Sequence, residues 1–275
     1  MTLLHDQITC DEIVQMNRNI MTSWTKQKGF PLVTVNQRQE GTNRILTLSQ
    51  VKFAANGKVA EAEKEVTWMV PVTVITASSP DEVVLTHVLS QRTGEVVVPD
   101  VATSDWVKVN QDSVGVYRVQ YSPDMLHDLL PAVHSKVLRP IDRLTLHTDL
   151  FALVQAGKNS TVEVLRLLEA YKEEDQYSVW SGIVSALSEI GLVLGYTDFQ
   201  DAYYVWGRRL LTPLFDKVGW QPKSDEKHTD SLLRSLTLGR LAIYGEPSVV
   251  EEAKKQFDAH VKGAQVTPES IAVTV

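Results

Sequence analysis

Met21-Thr-Ser-Trp-Thr-Lys-Gln-Lys-Gly-Phe-Pro-Leu-Val-Thr-Val35 reads as a helix end that turns at once into a strand. Upstream, Ile13, Met16, Ile20 and Trp24 recur at i, i+3, i+7 and i+11, one apolar face of a helix, with Asp11 as an acceptable N-cap. Gly29 can adopt the left-handed conformation that closes a helix, and Pro31 cannot continue one. Leu32-Val-Thr-Val35 is a β-branched strand opening. Residues 1–29 are therefore expected to be a helical segment that must pack on something, because one amphipathic helix at a terminus has no core of its own.

From 30 to 121 the pattern is that of strands. Leu32–Val35, Arg44–Val51, Thr67–Thr76, Val83–Leu89, Glu95–Val98, Trp106–Val109 and Val114–Tyr121 are short and β-branched. They are separated by Glu40-Gly-Thr, Asn56-Gly57, Ser79-Pro-Asp81 and Thr93-Gly94. About seven short strands at this spacing predict an antiparallel β-sandwich. Alternation in Arg44-Ile-Leu-Thr-Leu-Ser and Glu65-Val-Thr-Trp-Met-Val places one face of each strand in water. Pro71 within a strand predicts an edge or a bulge, since proline donates no ladder hydrogen bond.

From Ser122 onward the period becomes helical. Ser122-Pro123 and Arg139-Pro140 start helices, and Ser160-Thr-Val-Glu163 has the form of a capping box. Further helices run from Ser178 to Leu194, from Asp198 as cap through Val218, from His228 to Tyr244, and from Pro247 to Lys262. The expected architecture is a β-sandwich (30–121) followed by an α-helical array of HEAT or armadillo kind (122–275), without a strict internal repeat.

The 275 residues carry 27 Lys and Arg against 34 Asp and Glu, a net charge of −7, with 43% hydrophobic content. That balance argues against nucleic acid or an anionic membrane as partner, because both need a basic face. The single cysteine, Cys10, allows no internal disulfide and fits a reducing compartment. Apolar runs fall short of the roughly 18 residues of a membrane span, and no signal peptide is visible, so a cytoplasmic location is expected. Asn159-Ser-Thr161 matches a glycosylation acceptor but reads here as part of a helix cap.

No His-Glu-x-x-His occurs among the seven histidines. His127 and His134 are seven apart with Pro131 between them, which is not the one-turn spacing zinc needs. Nucleophile-elbow and phosphate-loop patterns are absent too. Asp142, Arg143 and Asp149 on one helix are the candidate contacts, either orienting a carboxylate or forming an ion-pair and capping network at a domain boundary. Phe199, Tyr203 and Trp206 form a stripe expected in the core.

The opening junction resembles the point in M1-family zinc aminopeptidases where the catalytic domain gives way to a β-sandwich. Trp68-Met-Val-Pro-Val-Thr-Val74, Trp106-Val-Lys-Val-Asn110, Gly115-Val-Tyr-Arg-Val-Gln-Tyr121, Asp142-Arg143 with Asp149-Leu-Phe151 and Gly157, and Gly219-Trp220 with His228, Leu233-Arg234, Leu238 and Gly239 extend the resemblance in order. The resemblance implies one zinc ion, a Gly-Ala-Met-Glu-Asn loop and an oxyanion-stabilising Tyr in the parent enzymes. No position here matches these, so no catalytic residue, metal ligand or cofactor is expected in this chain. It implies instead a scaffold whose helical bowl limits peptide access. The expected partners are peptides or the rest of an aminopeptidase. A standalone peptide- or protein-binding module is the alternative. The tail after Thr267-Pro-Glu269 stops where the family's array continues, which predicts self-association through an uncovered helical end.

Overall fold

A computed structural model describes residues 10–263, with side chains from Val14 onward. The tail from 264, the Cys10 side chain and the Asp11 cap lie outside the described residues. Helix α1 (Cys10–Thr25) leads through Gly29 (φ +97°) into β1 (Pro31–Glu40). The strands that follow are β2 (Asn43–Lys52), β3 (Val70–Thr76), β4 (Leu85–Leu89), β5 (Thr93–Val98), β6 (Val107–Val109) and β7 (Arg118–Tyr121). The helices are α2 (Pro123–His134), α3 (Pro140–Gln155), α4 (Thr161–Leu168), α5 (Tyr177–Leu194), α6 (Gln200–Val218), α7 (His228–Ile243) and α8 (Pro247–Val261).

The strands make a four-stranded sheet, β5-β2-β1-β7, and a three-stranded sheet, β4-β3-β6. Val33, Val35, Leu46, Leu48, Val96 and Val98 of the first share one buried core with Trp68, Val70, Val72, Val74 and Val109 of the second side. The β1–β2 hairpin turns on Gly41-Thr42, with Glu40 opposite Asn43. One expectation is corrected: β7 runs parallel to β1, Leu32 pairing Arg118, so the larger sheet is mixed. Proximity of a chain exit to a chain entry, not a hairpin, creates this pair, and local alternation carries no signal of direction.

Pro71 lies in the middle strand of its sheet, yet its only ladder partner is Val88 on β4. Pairing of β3 with β6 begins three residues later, at Val74. The proline therefore occupies a local edge inside a central strand, which is what its missing N–H requires.

Residues 65–69 are not strand. Their backbone turns to α1 instead: Trp24 Nε1 donates to Met69 O at 3.0 Å, Gln27 Nε2 to Thr67 O at 2.9 Å, and Met69 N to Ser23 Oγ at 3.1 Å. The Trp24 and Trp68 rings meet at 6.3 Å. Only the last turns of α1 dock in this way; Val14, Met16 and Met21 are 57%, 41% and 60% exposed.

Two polar side chains of β2 are buried, one at each end of the face that Leu46 and Leu48 turn to the core. Arg44 donates to Gln39 Oε1 (2.6 Å) and to the carbonyls of Ala102 (2.8 Å), Thr103 (3.3 Å) and Asp105 (3.2 Å), because the loop after β5 folds over it. Gln50 Nε2 reaches the carbonyls of Trp68 (2.8 Å), Leu89 (3.2 Å) and Gln91 (2.9 Å), while its Oε1 accepts from Trp68 N at 2.8 Å. The amide thus ties the larger sheet to the backbone entering and leaving the smaller one, with its donors and acceptor satisfied.

The chain divides into two compact units that interleave: one holds the residues up to Leu129 together with Ala152–Ser160, the other Leu130–Phe151 with the chain from Thr161. Within the first, Gln120 Nε2 donates to Lys158 O at 3.3 Å. In the second, α5, α6 and α8 each pack on α7. Its core includes Tyr171, Trp180, Leu210, Leu211, Leu238 and Tyr244, all 0–1% exposed. Pro131 and Pro213 sit inside α2 and α6 without ending them.

Helix α5 is long and apolar enough to cross a membrane by length and composition, with mean hydropathy 1.4 over 18 residues. Its run is broken by Ser181, Ser185, Ser188 and Glu189, and Val179, Trp180, Ile183, Ala186, Leu187 and Ile190 form a buried stripe inside the unit.

Gly57 shows why the first unit needs its distant segment. Its φ is +73°, and a Cβ there would stand 2.3 Å from Ala156 O. Gly57→Ala is expected to cost about 1–3 kcal/mol, from left-handed backbone and forced separation together. Urea unfolding of the variant beside Gly41→Ala, which has a positive φ but open space, isolates the contact: equal losses would mean backbone conformation alone is responsible.

Candidate functional site

Helix α3 starts at Pro140, whose fixed φ suits the first turn. It carries the three residues singled out from the sequence. Asp142 and Arg143 are 0% and 3% exposed, and Asp149 is half-buried. The Arg143 guanidinium pairs through two parallel bonds with Glu174: Nε to Oε2 at 2.6 Å and Nη2 to Oε1 at 2.9 Å. Its Nη1 donates to the Leu138 carbonyl. Tyr171 OH donates to Arg143 O at 2.6 Å.

Glu174 does more than neutralise the arginine. Its Oε1 also accepts from Asp175 N and Gln176 N, each at 2.9 Å, at the entry to α5. Its backbone carbonyl accepts from Trp180 Nε1 at 3.1 Å. The fork expected to orient a carboxylate ligand is filled by a carboxylate of the same chain. Sequence reading missed Glu174, which sits in Glu173-Glu174-Asp175 and looks like an ordinary solvated acidic run.

His147, one turn beyond Arg143, is 1% exposed, and its Nε2 has no partner. It meets Tyr171 edge-on at 5.6 Å, and Gly182 leaves it room: a Cβ there would stand 2.7 Å from Cε1. Burial lowers its pKa to about 4, opposed by a hydrogen bond to the Val179 backbone.

A second polar cluster lies between the end of α6 and the start of α7, around a cavity of about 180 Å³ lined by Leu214, Lys217, Val218, Lys223, Glu226 and Arg234 among others. Arg234 is 1% exposed and donates from Nη1 to Glu226 Oε1 at 2.9 Å, from Nη2 to Glu226 Oε2, and from Nε to Val218 O at 3.3 Å. That pairing, with a further bond from Lys223 N (3.1 Å), holds the Glu226 carboxyl down to about 2. Lys217 pairs with Glu173 at 2.9 Å, and Lys223 Nζ donates to Lys217 O at 2.9 Å. The lining includes no Ser, Cys or His to act as nucleophile or base. The cluster locks the loop of residues 219–227.

The expected aromatic stripe splits. Tyr203 is buried, its OH donating to Leu187 O at 2.6 Å, and Trp206 Nε1 donates to Glu169 Oε1 at 2.6 Å. Phe199, in contrast, is 70% exposed, because it precedes α6 as the N-cap residue; Asp198 does not hold that place.

A family model described as "ERAP1-like C-terminal domain" matches residues 106–274. The chain belongs to that family. Puromycin-sensitive aminopeptidase of Caenorhabditis elegans is 32% identical over 255 residues, covering 91% of this chain and 26% of that protein. Aminopeptidase M1 of Arabidopsis thaliana is 32% identical over 257 residues, covering 87% and 28%. Glutamyl aminopeptidase of Rattus norvegicus is 25% identical over 264 residues, covering 94% and 27%. The chain thus spans about a quarter of the length of these M1 relatives and corresponds to their C-terminal region.

Among the described residues no group of three or more His, Cys, Asp or Glu is placed to hold a metal. His127 and His134 are both exposed, and His147 is buried, edge-on to the Tyr171 ring and hydrogen-bonded to the Val179 backbone. The described residues do not fit the zinc that an M1 resemblance implies.

Two stability predictions follow from this ERAP1-like helical unit. Arg143→Ala is expected to cost about 3–5 kcal/mol, because Glu174 would stay buried and charged without its partner. Arg143→Met with Glu174→Leu should recover part of that loss in urea titration. No recovery would mean that the bonds of Glu174 to the α5 entry outweigh the pair.

His147 titrates lower in the folded chain than its ordinary 6.5, so the unfolded chain binds the extra proton between about pH 4 and 6.5. Stability should therefore fall as the pH drops through that window, by about 3 kcal/mol in all. His147→Phe should flatten this part of the pH profile and leave the carboxylate-linked loss below it; an unchanged slope would exclude His147 as the source.

Proposed function

We propose that the chain is the non-catalytic C-terminal portion of an M1-type, puromycin-sensitive-like aminopeptidase. In this reading the sandwich is a spacer, and the helical unit, an array of HEAT kind, covers the active site of the parent and limits which peptides reach it. The observation that carries the reading is the alignment: nine-tenths of this chain matches about a quarter of a relative named as an aminopeptidase. The family match to an ERAP1-like C-terminal domain over 106–274 supports it.

Helix α1 adds physical support. Its last turns are pinned to the sandwich backbone, while Val14, Met16 and Met21 stand exposed on the turns before. Apolar side chains held outward on an anchored helix suit burial against the remainder of a peptidase. The zinc and the catalytic residues belong in that remainder, and a cytoplasmic location accompanies the reading. Arg143 positions the approach to α5 through Glu174, and burial leaves neither Asp142 nor Arg143 an open face toward a peptide.

The purified chain supplied with zinc and offered aminoacyl chromogenic amides is expected to release no chromophore above the protein-free rate. Turnover that a chelator abolishes would overturn the proposal.

A further inference from the structure

The corner where α5 passes into α6 exposes large apolar side chains that the fold does not use. Leu192, Val193, Tyr196 and Phe199 are 70%, 69%, 88% and 70% exposed within eight residues of sequence. The core stripe of α5 is already complete, ending at Ile190, so Leu192 and Val193 are surplus to it. Single exposed apolar residues are ordinary; a contiguous group at a helix corner is characteristic of an interaction site.

The corner is also held in shape. Gly195 N donates to Gly191 O at 2.9 Å, Thr197 N to Leu194 O at 2.9 Å, and Thr197 Oγ1 to Leu194 O at 2.8 Å. Phe199 N then donates to Thr197 Oγ1 at 3.3 Å. A surface fixed in advance loses little conformational freedom on binding.

The charges carried by the corner itself are acidic. The last turn of α5 carries no basic residue, so the negative end of its dipole is uncompensated there. Asp198 stands exposed between Tyr196 and Phe199. Asp201 is exposed too, although the positive end of α6 partly offsets it. Between Lys172 and Arg208 the sequence holds no Lys or Arg. The Arg240 guanidinium donates to Ser188 Oγ one turn earlier on α5.

We propose that this corner, Leu192, Val193, Tyr196 and Phe199 with Asp198 among them, is a docking surface for a protein segment whose apolar side chains are flanked by lysine or arginine. Tyr196 and Phe199 supply the broad contact area, and Asp198 with the end of α5 selects the cationic flank. An anionic membrane is disfavoured by the same charges. The inference does not rest on the aminopeptidase reading, since it uses only the exposure, rigidity and charge of one corner.

Fluorescence anisotropy tests it on the full chain. The probe is a short labelled peptide of Leu, Phe, Lys and Gln, compared with its counterpart in which Glu replaces every Lys. The expected result is saturable binding of the Lys peptide, weakened roughly tenfold or more in the Glu peptide. Tyr196→Ser with Phe199→Ser should weaken it by at least about tenfold while leaving the helical circular dichroism unchanged, because both side chains lie outside the core. Asp198→Lys should shrink the preference for the Lys peptide even if the double variant folds poorly. Equal binding of both peptides, or binding indifferent to Tyr196, Phe199 and Asp198, overturns the proposal. So does dimer formation in sedimentation that the same variants abolish, or binding to phosphatidylcholine vesicles that the Lys peptide fails to displace. Tighter peptide binding after removal of residues 264–275 also overturns it, because the tail would then be the occupant.

Discussion

An arginine removed from water is tolerated only where its charge and its N–H groups are met, and Arg143 organises the helical unit through that demand. Two of its nitrogens face Glu174 and a third faces the Leu138 carbonyl. Each bond draws in a different segment: α3 through the arginine, the turn before it through Leu138, and the approach to α5 through Glu174. Tyr171 and Trp180 then close on the backbone of the pair, one on Arg143 O and the other on Glu174 O. Two of the largest buried side chains of the unit are thus held by hydrogen bonds as well as by the packing of their rings. His147 occupies the apolar space beside them, which is why its ring is held neutral.

The sandwich meets the same requirement with an uncharged group. Gln50 on β2 satisfies backbone groups at Trp68 and Gln91, which lie outside the ladders of the smaller sheet, and at Leu89, the last residue of β4. Arg44, six residues earlier, does so for the loop carbonyls at 102, 103 and 105. In both units, buried polar side chains serve irregular backbone that has no strand or helix partner.

The order of elements was legible because it is written locally. Gly29 and Pro31 mark the change from helix to strand, and the shift of hydrophobic period after Tyr121 marks the change back. Pro123, Pro140 and Pro247 each open a helix where the sequence places one. What the sequence concealed is non-local. Nothing near Arg118 states that its strand will lie parallel to β1, and nothing in Glu173-Glu174-Asp175 states which carboxylate will be buried. Arg44 falls in phase with Leu46 and Leu48 on the core face, and the loop carbonyls that satisfy it lie more than 50 positions away. Of the candidate residues, the Asp142-Arg143 pair was visible on its helix, but its partner was not. The exposed corner at Phe199 was hidden by a helical spacing that continues through a cap the helix does not include.

The contact of Gly57 with Ala156 has a consequence for how the protein is made. Residues 152–160 belong with the sandwich, yet they follow a stretch that belongs to the helical unit. The chain therefore passes between its two units three times. During synthesis the strands all emerge before the segment that completes their unit, so the first unit cannot finish folding until Ser160 has left the ribosome. By then Leu130–Phe151, a part of the second unit, is already outside. No single cut separates the two units as intact pieces, so exchange of either by recombination would need three matched crossovers, and the sandwich and the helices are constrained to be inherited together.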